Sequence, residues 1–259
     1  MKNELEVNSD SFFDIIYNMK NIVEVKNFKM RFGNKTVIED LSFDVKKGEI
    51  FGLLGANGSG KTTTIRALLG FYKATGGELL VDGKVYNPED LDVTVGYLPE
   101  ERGLYKKETV MDNLVYFATL KGLKNPLEWA EKYLKRVGLL DKKDEKLEKL
   151  SGGQQQKIQL GVCIMGNPKL LILDEPTKGF DPMNRRLLMD IIEELHDKGC
   201  AIILITHYMD EVEKLCDRAL LLKDGKAMVY GTIPEIKKKF GGKSLEEIFI
   251  ETYGEQNEE

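Results

Sequence analysis

Eight residues, GANGSGKT from Gly55 to Thr62, keep the spacing G-x-x-x-x-G-K-[ST]. Glycines at that spacing let backbone N–H groups turn inward around phosphate oxygens. The helix that follows offers the positive end of its dipole, and Lys61 adds a full charge. The candidate phosphate site is therefore Gly55, Ala56, Asn57, Gly58, Ser59, Gly60, Lys61, Thr62 and Thr63, with the Thr62 hydroxyl available to a magnesium ion. The bland alternative is a glycine-rich turn with no ligand. The flanks weigh against it, since the apolar EIFGLL leads in and the helix-forming KTTTIRALLG leads out. A phosphate loop alone does not name a reaction. The stretch Asn34-Lys35-Thr36-Val37 lacks the aspartate of a guanine-reading NKxD motif, which argues against a GTPase.

Four further stretches could act on a bound phosphate. Asp174 and Glu175 follow the apolar KLLIL directly. Ligands bind at the C-terminal edge of such strands in open α/β sheets. Successive side chains leave a strand on opposite sides. One carboxylate can then order magnesium through water while its neighbour polarises an attacking water. A second apolar run, AIILIT, ends at His207, which in a matching position could hold a γ-phosphate; alone it would read as a capping or core histidine. Leu150 to Gln154 reads LSGGQ. Ser151 is a good N-cap, and Gly152 and Gly153 leave N–H groups bare, so a second helix end suits an anion. In isolation it is a capped helix after a glycine turn. The last stretch, YLPEERGLY from Tyr97 to Tyr105, joins a strand expected at 93–97 to a helix expected at 109–120, and carries Glu100, Glu101 and Arg102.

These residues need a frame. The 259-residue chain is 42% hydrophobic and 31% charged, the balance of a globular protein. Its net charge of −5 does not suggest a nucleic-acid surface. No apolar run reaches the roughly 18–20 residues that cross a bilayer, and no signal peptide is visible. Three cysteines without a CxxC pair and only two histidines, His196 and His207, make a structural zinc site improbable. Alternating and apolar strand patterns run over 22–54, followed by a helix at 61–69 and a short strand at 78–81. Residues 109–165 are mostly helical. After them LLILD and AIILIT read as buried parallel strands, with a helix at 185–196 between them. The segment SFFDIIYNM, within residues 1–20, is loosely helical in spacing; it reads first as a frayed extension or an upstream start before a domain beginning near Ile22, and second as an amphipathic partner-binding or membrane-surface helix. The tail SLEEIFIETYG sets Leu245, Ile248, Phe249 and Tyr253 on one helical face, expected to pack on its own domain.

The motifs GANGSGKT, LSGGQ, LLILDEP, GFDP (Gly179 to Pro182) and ITH, in that order, resemble the nucleotide-binding subunit of ABC transporters over residues from Ile22 to about Gly231. The resemblance implies an α/β P-loop ATPase, a mixed sheet with an antiparallel β subdomain and an inserted helical subdomain. It implies an extension at 1–20, an ATPase domain at 21–232 with the helical insert at about 101–165, and a helical tail at 233–259. It implies ATP and Mg2+, and a head-to-tail dimer in which the signature of one subunit (Ser151, Gly152, Gly153, Gln154) closes over ATP held by the other. In that scheme Lys61 and Thr62 meet phosphate and magnesium, Asp174 anchors the magnesium, Glu175 is the base and His207 contacts the γ-phosphate. Asp181 couples the two sites. Phe32 stands where the family usually has a tyrosine that stacks on adenine. Glu100 stands where the family has a glutamine that meets magnesium and the attacking water, and Arg102 could offset its charge. A comparable YLPEE loop occurs in a branch of ABC exporters. The expected setting is the cytoplasmic face of the cell membrane, beside a separate transmembrane permease. The rival is a soluble ABC ATPase, such as one for iron–sulfur assembly.

Overall fold

The computed structural model describes residues 21–87, 89, 94–101 and 103–254. The segment 1–20 and Arg102 lie outside the described residues, so neither the expected extension nor the expected offset of Glu100 by Arg102 finds an answer there.

Three strands, β1 (Asn21–Phe32), β2 (Lys35–Lys46) and β4 (Gly76–Val81), form an antiparallel sheet in the order β2-β1-β4. A larger sheet combines β3 (Ile50–Leu54), β5 (Val95–Leu98), β6 (Leu170–Asp174), β7 (Ala201–Ile205), β8 (Arg218–Lys223) and β9 (Lys226–Thr232). Its order is β5-β6-β7-β3-β8-β9, parallel except for β9, which returns beside β8. The central strands are apolar throughout because both faces are covered. Leu170, Ile172, Ile203 and Ile205 pack on one side with Phe28, Val45 and Ile65 of α1 (Lys61–Leu68). Leu171, Leu173, Ile202 and Leu204 pack on the other with the remaining helices.

The helical part consists of α2 (Val110–Leu120), α3 (Pro126–Arg136) and α4 (Gly152–Ile164), with single 3-10 turns at Leu140–Lys142 and Leu147–Lys149. Thr109 starts α2 through a capping box with Asp112. Buried Asn113 on α2 accepts from the Tyr105 N–H at 2.9 Å and donates to the Tyr105 carbonyl at 3.0 Å. The end of YLPEERGLY is thereby tied to α2.

The helix expected at 185–196 starts earlier, as α5 (Pro182–Asp197). Asp181 caps it, accepting from the Asn184 N–H at 2.8 Å. Pro182 belongs in the first turn because the N–H it lacks would have no helical partner there. After α6 (Met209–Leu215) and α7 (Ile233–Lys239), the chain closes with α8 (Leu245–Gly254). Leu245 and Ile248 are buried beside Leu54, Ala219 and Leu221, so the tail packs on its own chain as expected. All three cysteines are free and buried, and burial pushes the Cys163 and Cys200 thiols up to about 12.

Candidate functional site

The site begins where β3 turns into α1. Gly55 has φ +151°, and a Cβ there would stand 2.4 Å from the Leu222 carbonyl and 2.5 Å from Ser59 Oγ. Only glycine fits. Gly60, at φ +107°, opens α1 with no side-chain cap, so no side chain among the described residues caps the first amides of that helix. A Cβ at Gly58 would meet open space within 4 Å, which leaves the loop's outer face clear for a ligand. Lys61 is buried, and its Nζ donates to the Gly55 carbonyl at 2.8 Å and the Ala56 carbonyl at 3.0 Å. Burial lowers its pKa, while Glu175, Asp174 and Glu100 favour its charge.

At the end of β6 the two carboxylates part. Thr62 Oγ1 donates to Asp174 Oδ2 at 3.2 Å. Glu175 leaves the sheet with φ +51°, a left-handed backbone uncommon for a residue with a Cβ, and its N–H donates to the Ile205 carbonyl at 2.8 Å. This turn carries its carboxylate to His207, whose Nδ1 lies 2.9 Å from Oε1. Neighbours in sequence thus serve different partners, one on the phosphate loop's helix and one past the end of β7. Burial pushes the Asp174 carboxyl up to about 6; the Thr62 hydrogen bond opposes the shift, and Glu100 and Glu175 add to it.

The YLPEERGLY loop borders this pair, and here sequence reasoning missed the partners. Glu100 Oε1 lies 2.6 Å from Lys178 Nζ, between the DEP turn and GFDP. Glu101 meets Arg66 of α1 at 2.9 Å, and its carbonyl accepts from Gln159 Nε2 of α4 at 3.0 Å. One loop therefore touches the phosphate helix, the carboxylate turn and the helical part. Lys178 carried a signal in its place, three residues after Glu175.

The remaining expected residues stand further out. Phe32 is 45% exposed at the end of β1, its ring edge-on to Tyr72 at 5.2 Å. Beside it lies an open depression lined by Lys29, Arg31, Thr36 and Thr75. Ser151 opens α4 through a reciprocal bond with Gln154: the Gln154 N–H donates to Ser151 Oγ at 3.3 Å, and the Ser151 N–H donates to Gln154 Oε1 at 2.9 Å. Gly153 packs near Phe180, and Asp181 serves as the cap of α5.

A mainly parallel sheet with an uncapped glycine loop at the end of β3, and Asp174 and Glu175 at the end of β6 one strand beyond β7, defines a P-loop nucleotide-binding domain. A family model described as ABC transporter matches residues 38–178. An uncharacterised ABC transporter ATP-binding protein of Methanocaldococcus jannaschii is 46% identical over 223 residues, covering 85% of this chain and 81% of that protein. The Nod factor export ATP-binding protein I of Burkholderia lata is 35% identical over 213 residues, covering 81% and 70%. A solved structure of an ATP-binding subunit of an ABC transporter superposes with a TM-score of 0.82 at 31% identity, covering 89% of this chain and 98% of that one. The chain belongs to the ABC transporter family as an ATP-binding subunit, and it hydrolyses ATP. Among the described residues no helix is long and apolar enough to cross a membrane.

Proposed function

We propose that residues 55–63 hold the phosphates of ATP, that Glu175 is the base, and that hydrolysis energises a separate membrane-spanning permease in the export direction. The observation that carries the catalytic part is the parting of Asp174 and Glu175, one bonded to Thr62 and the other to His207. Lys61 exchanges the Gly55 and Ala56 carbonyls for phosphate oxygens. Glu175 takes a proton from water as the water oxygen bonds to the γ-phosphorus. The bond from that phosphorus to the β,γ-bridging oxygen breaks, and the electron pair leaves with ADP. His207 orients Glu175 and reaches the γ-phosphate. Asp181 couples this site to its counterpart across the dimer. Phe32 offers its ring to adenine.

The donor set fits magnesium: the Thr62 hydroxyl and the Asp174 and Glu100 carboxylates are hard oxygen ligands. Bound there, magnesium would neutralise charge on the leaving phosphates. Glu100, now paired with Lys178 at 2.6 Å, would supply one of its carboxylate oxygens.

Export is supported by the Burkholderia relative, a Nod factor export ATP-binding protein, and by the YLPEE loop. The setting we assign is the cytoplasmic face of the membrane, with a second ATPase subunit and a permease as partners. Glu175→Gln should bind ATP normally and turn it over about 10²–10⁴ times more slowly, the worth of a general base. Hydrolysis at the wild-type rate would remove Glu175 from that role. A tagged chain purified from solubilised membranes should bring a multi-span protein with it; a soluble scaffold as sole partner would contradict transport.

A further inference from the structure

The peptide between Gly55 and Ala56 is gripped at both ends. Its carbonyl accepts from Lys61 Nζ at 2.8 Å, and its N–H donates to the Tyr253 hydroxyl at 2.8 Å. In a trans peptide these groups point in opposite directions, so lysine and tyrosine hold opposite sides of one plane. Tyr253 Oη donates in turn to the Leu222 carbonyl at 2.6 Å. That bond uses the only hydroxyl proton and aims a lone pair at Ala56. The Leu222 carbonyl is also the atom that a Cβ on Gly55 would strike.

The tyrosine itself is well fixed. It sits in the last turn of α8, which Leu245 and Ile248 anchor in the core. Phe249 stacks on its ring at 4.5 Å. Lys223 Nζ donates to the Thr252 carbonyl at 2.7 Å and stands 5.5 Å from the centre of the Tyr253 ring. The family match ends at residue 178, well before this helix.

We propose that Tyr253 is a positioning residue of the nucleotide site, whose hydroxyl holds the Gly55–Ala56 peptide in place when Lys61 moves to the phosphates. The inference rests on reading residues 55–62 as the phosphate cradle. Lys61 cannot hold the Gly55 carbonyl and a phosphate at full strength together. Once it turns to ATP, the Tyr253 bond is the side-chain hold that remains on this peptide among the described residues. Without it the loop spreads over several backbone conformations, and ATP binding must order them. That cost falls on affinity, because Glu175 and the water it acts on are untouched.

The test uses the full chain, as wild type, Tyr253→Phe and Ile236→Ala. Tyr253→Phe keeps the ring and removes the hydroxyl. It should raise both the Kd and the KM for ATP by about three- to tenfold, the span of one net hydrogen bond, with kcat within about twofold. Amide exchange at Ala56 should quicken by a similar factor. Ile236→Ala loosens the core beside Leu245 and Ile248 but keeps the Tyr253 ring, its stacking on Phe249 and its hydroxyl; it should lower Tm and leave the KM alone. An unchanged KM in Tyr253→Phe overturns the proposal. An equal rise in Ile236→Ala also overturns it, because general loosening of the core would then be the cause. A wild-type chain that binds no ATP would instead refute the cradle assignment beneath it.

Discussion

Two helices among the described residues, α1 after Gly60 and α4 at Gly152, have glycine at their start and could face an anion, and they begin differently. The first turn of α1 follows Gly60 in a left-handed conformation with no side-chain cap. Around it the chain supplies a buried lysine, a threonine bonded to Asp174, and the Glu175–His207 pair. The first turn of α4 follows Ser151, whose side chain and that of Gln154 satisfy each other's amides, and Ser151 is exposed. An uncapped helix end in a built pocket awaits a ligand. A self-capped end at the surface is stable by itself and gains its use only when something else brings a phosphate to it. The contrast fits a chain that owns one complete nucleotide cradle and lends its second helix end to another copy.

The comparison breaks most easily at Lys61. Lys61→Ala removes a charge-assisted contact at the α1 end, and ATP affinity should fall about 10- to 100-fold, measured by calorimetry. Gly153→Asp puts a carboxylate at the α4 end instead. ATP affinity of the isolated subunit should stay within about twofold, while turnover at high protein concentration drops by about tenfold or more. A loss of affinity in Gly153→Asp would show that both helix ends act within one chain. Ile248→Ala should cost about 2–5 kcal/mol of stability, read from denaturant unfolding, because a fully buried side chain leaves a cavity. The smallest effect belongs to Glu100→Gln, which should keep hydrolysis and shift the half-saturating magnesium concentration by about two- to fivefold. An unmoved magnesium curve would make Glu100 a partner of Lys178 and nothing more.

Much of the site was legible because it depends on local sequence. The phosphate loop, the capping serine and the apolar strands ending in Asp174 and His207 each show within a dozen residues. The helix expected at 185–196 starts three residues earlier, because Asp181 caps it and a proline suits its first turn. What escaped came from distant contacts. Lys178 meets Glu100 across 78 positions, and Tyr253 meets Ala56 across 197. No spacing rule joins such pairs; the sheet order does, by setting the end of β5 beside that of β6, and the end of β3 beside that of β8, where Tyr253 also bonds Leu222. The tail face of Leu245 and Ile248 was visible as a pattern, but the hydroxyl it delivers to the phosphate loop was not.

The central claim is that the complete α1 end and the lent α4 end meet across two copies of the chain around ATP. Light scattering on Glu175→Gln, with and without ATP, measures this directly. The account predicts a doubling of mass on adding ATP, lost again when Gly153→Asp is introduced into the same chain. A Glu175→Gln subunit that holds ATP and keeps the mass of a single copy at every concentration would contradict it.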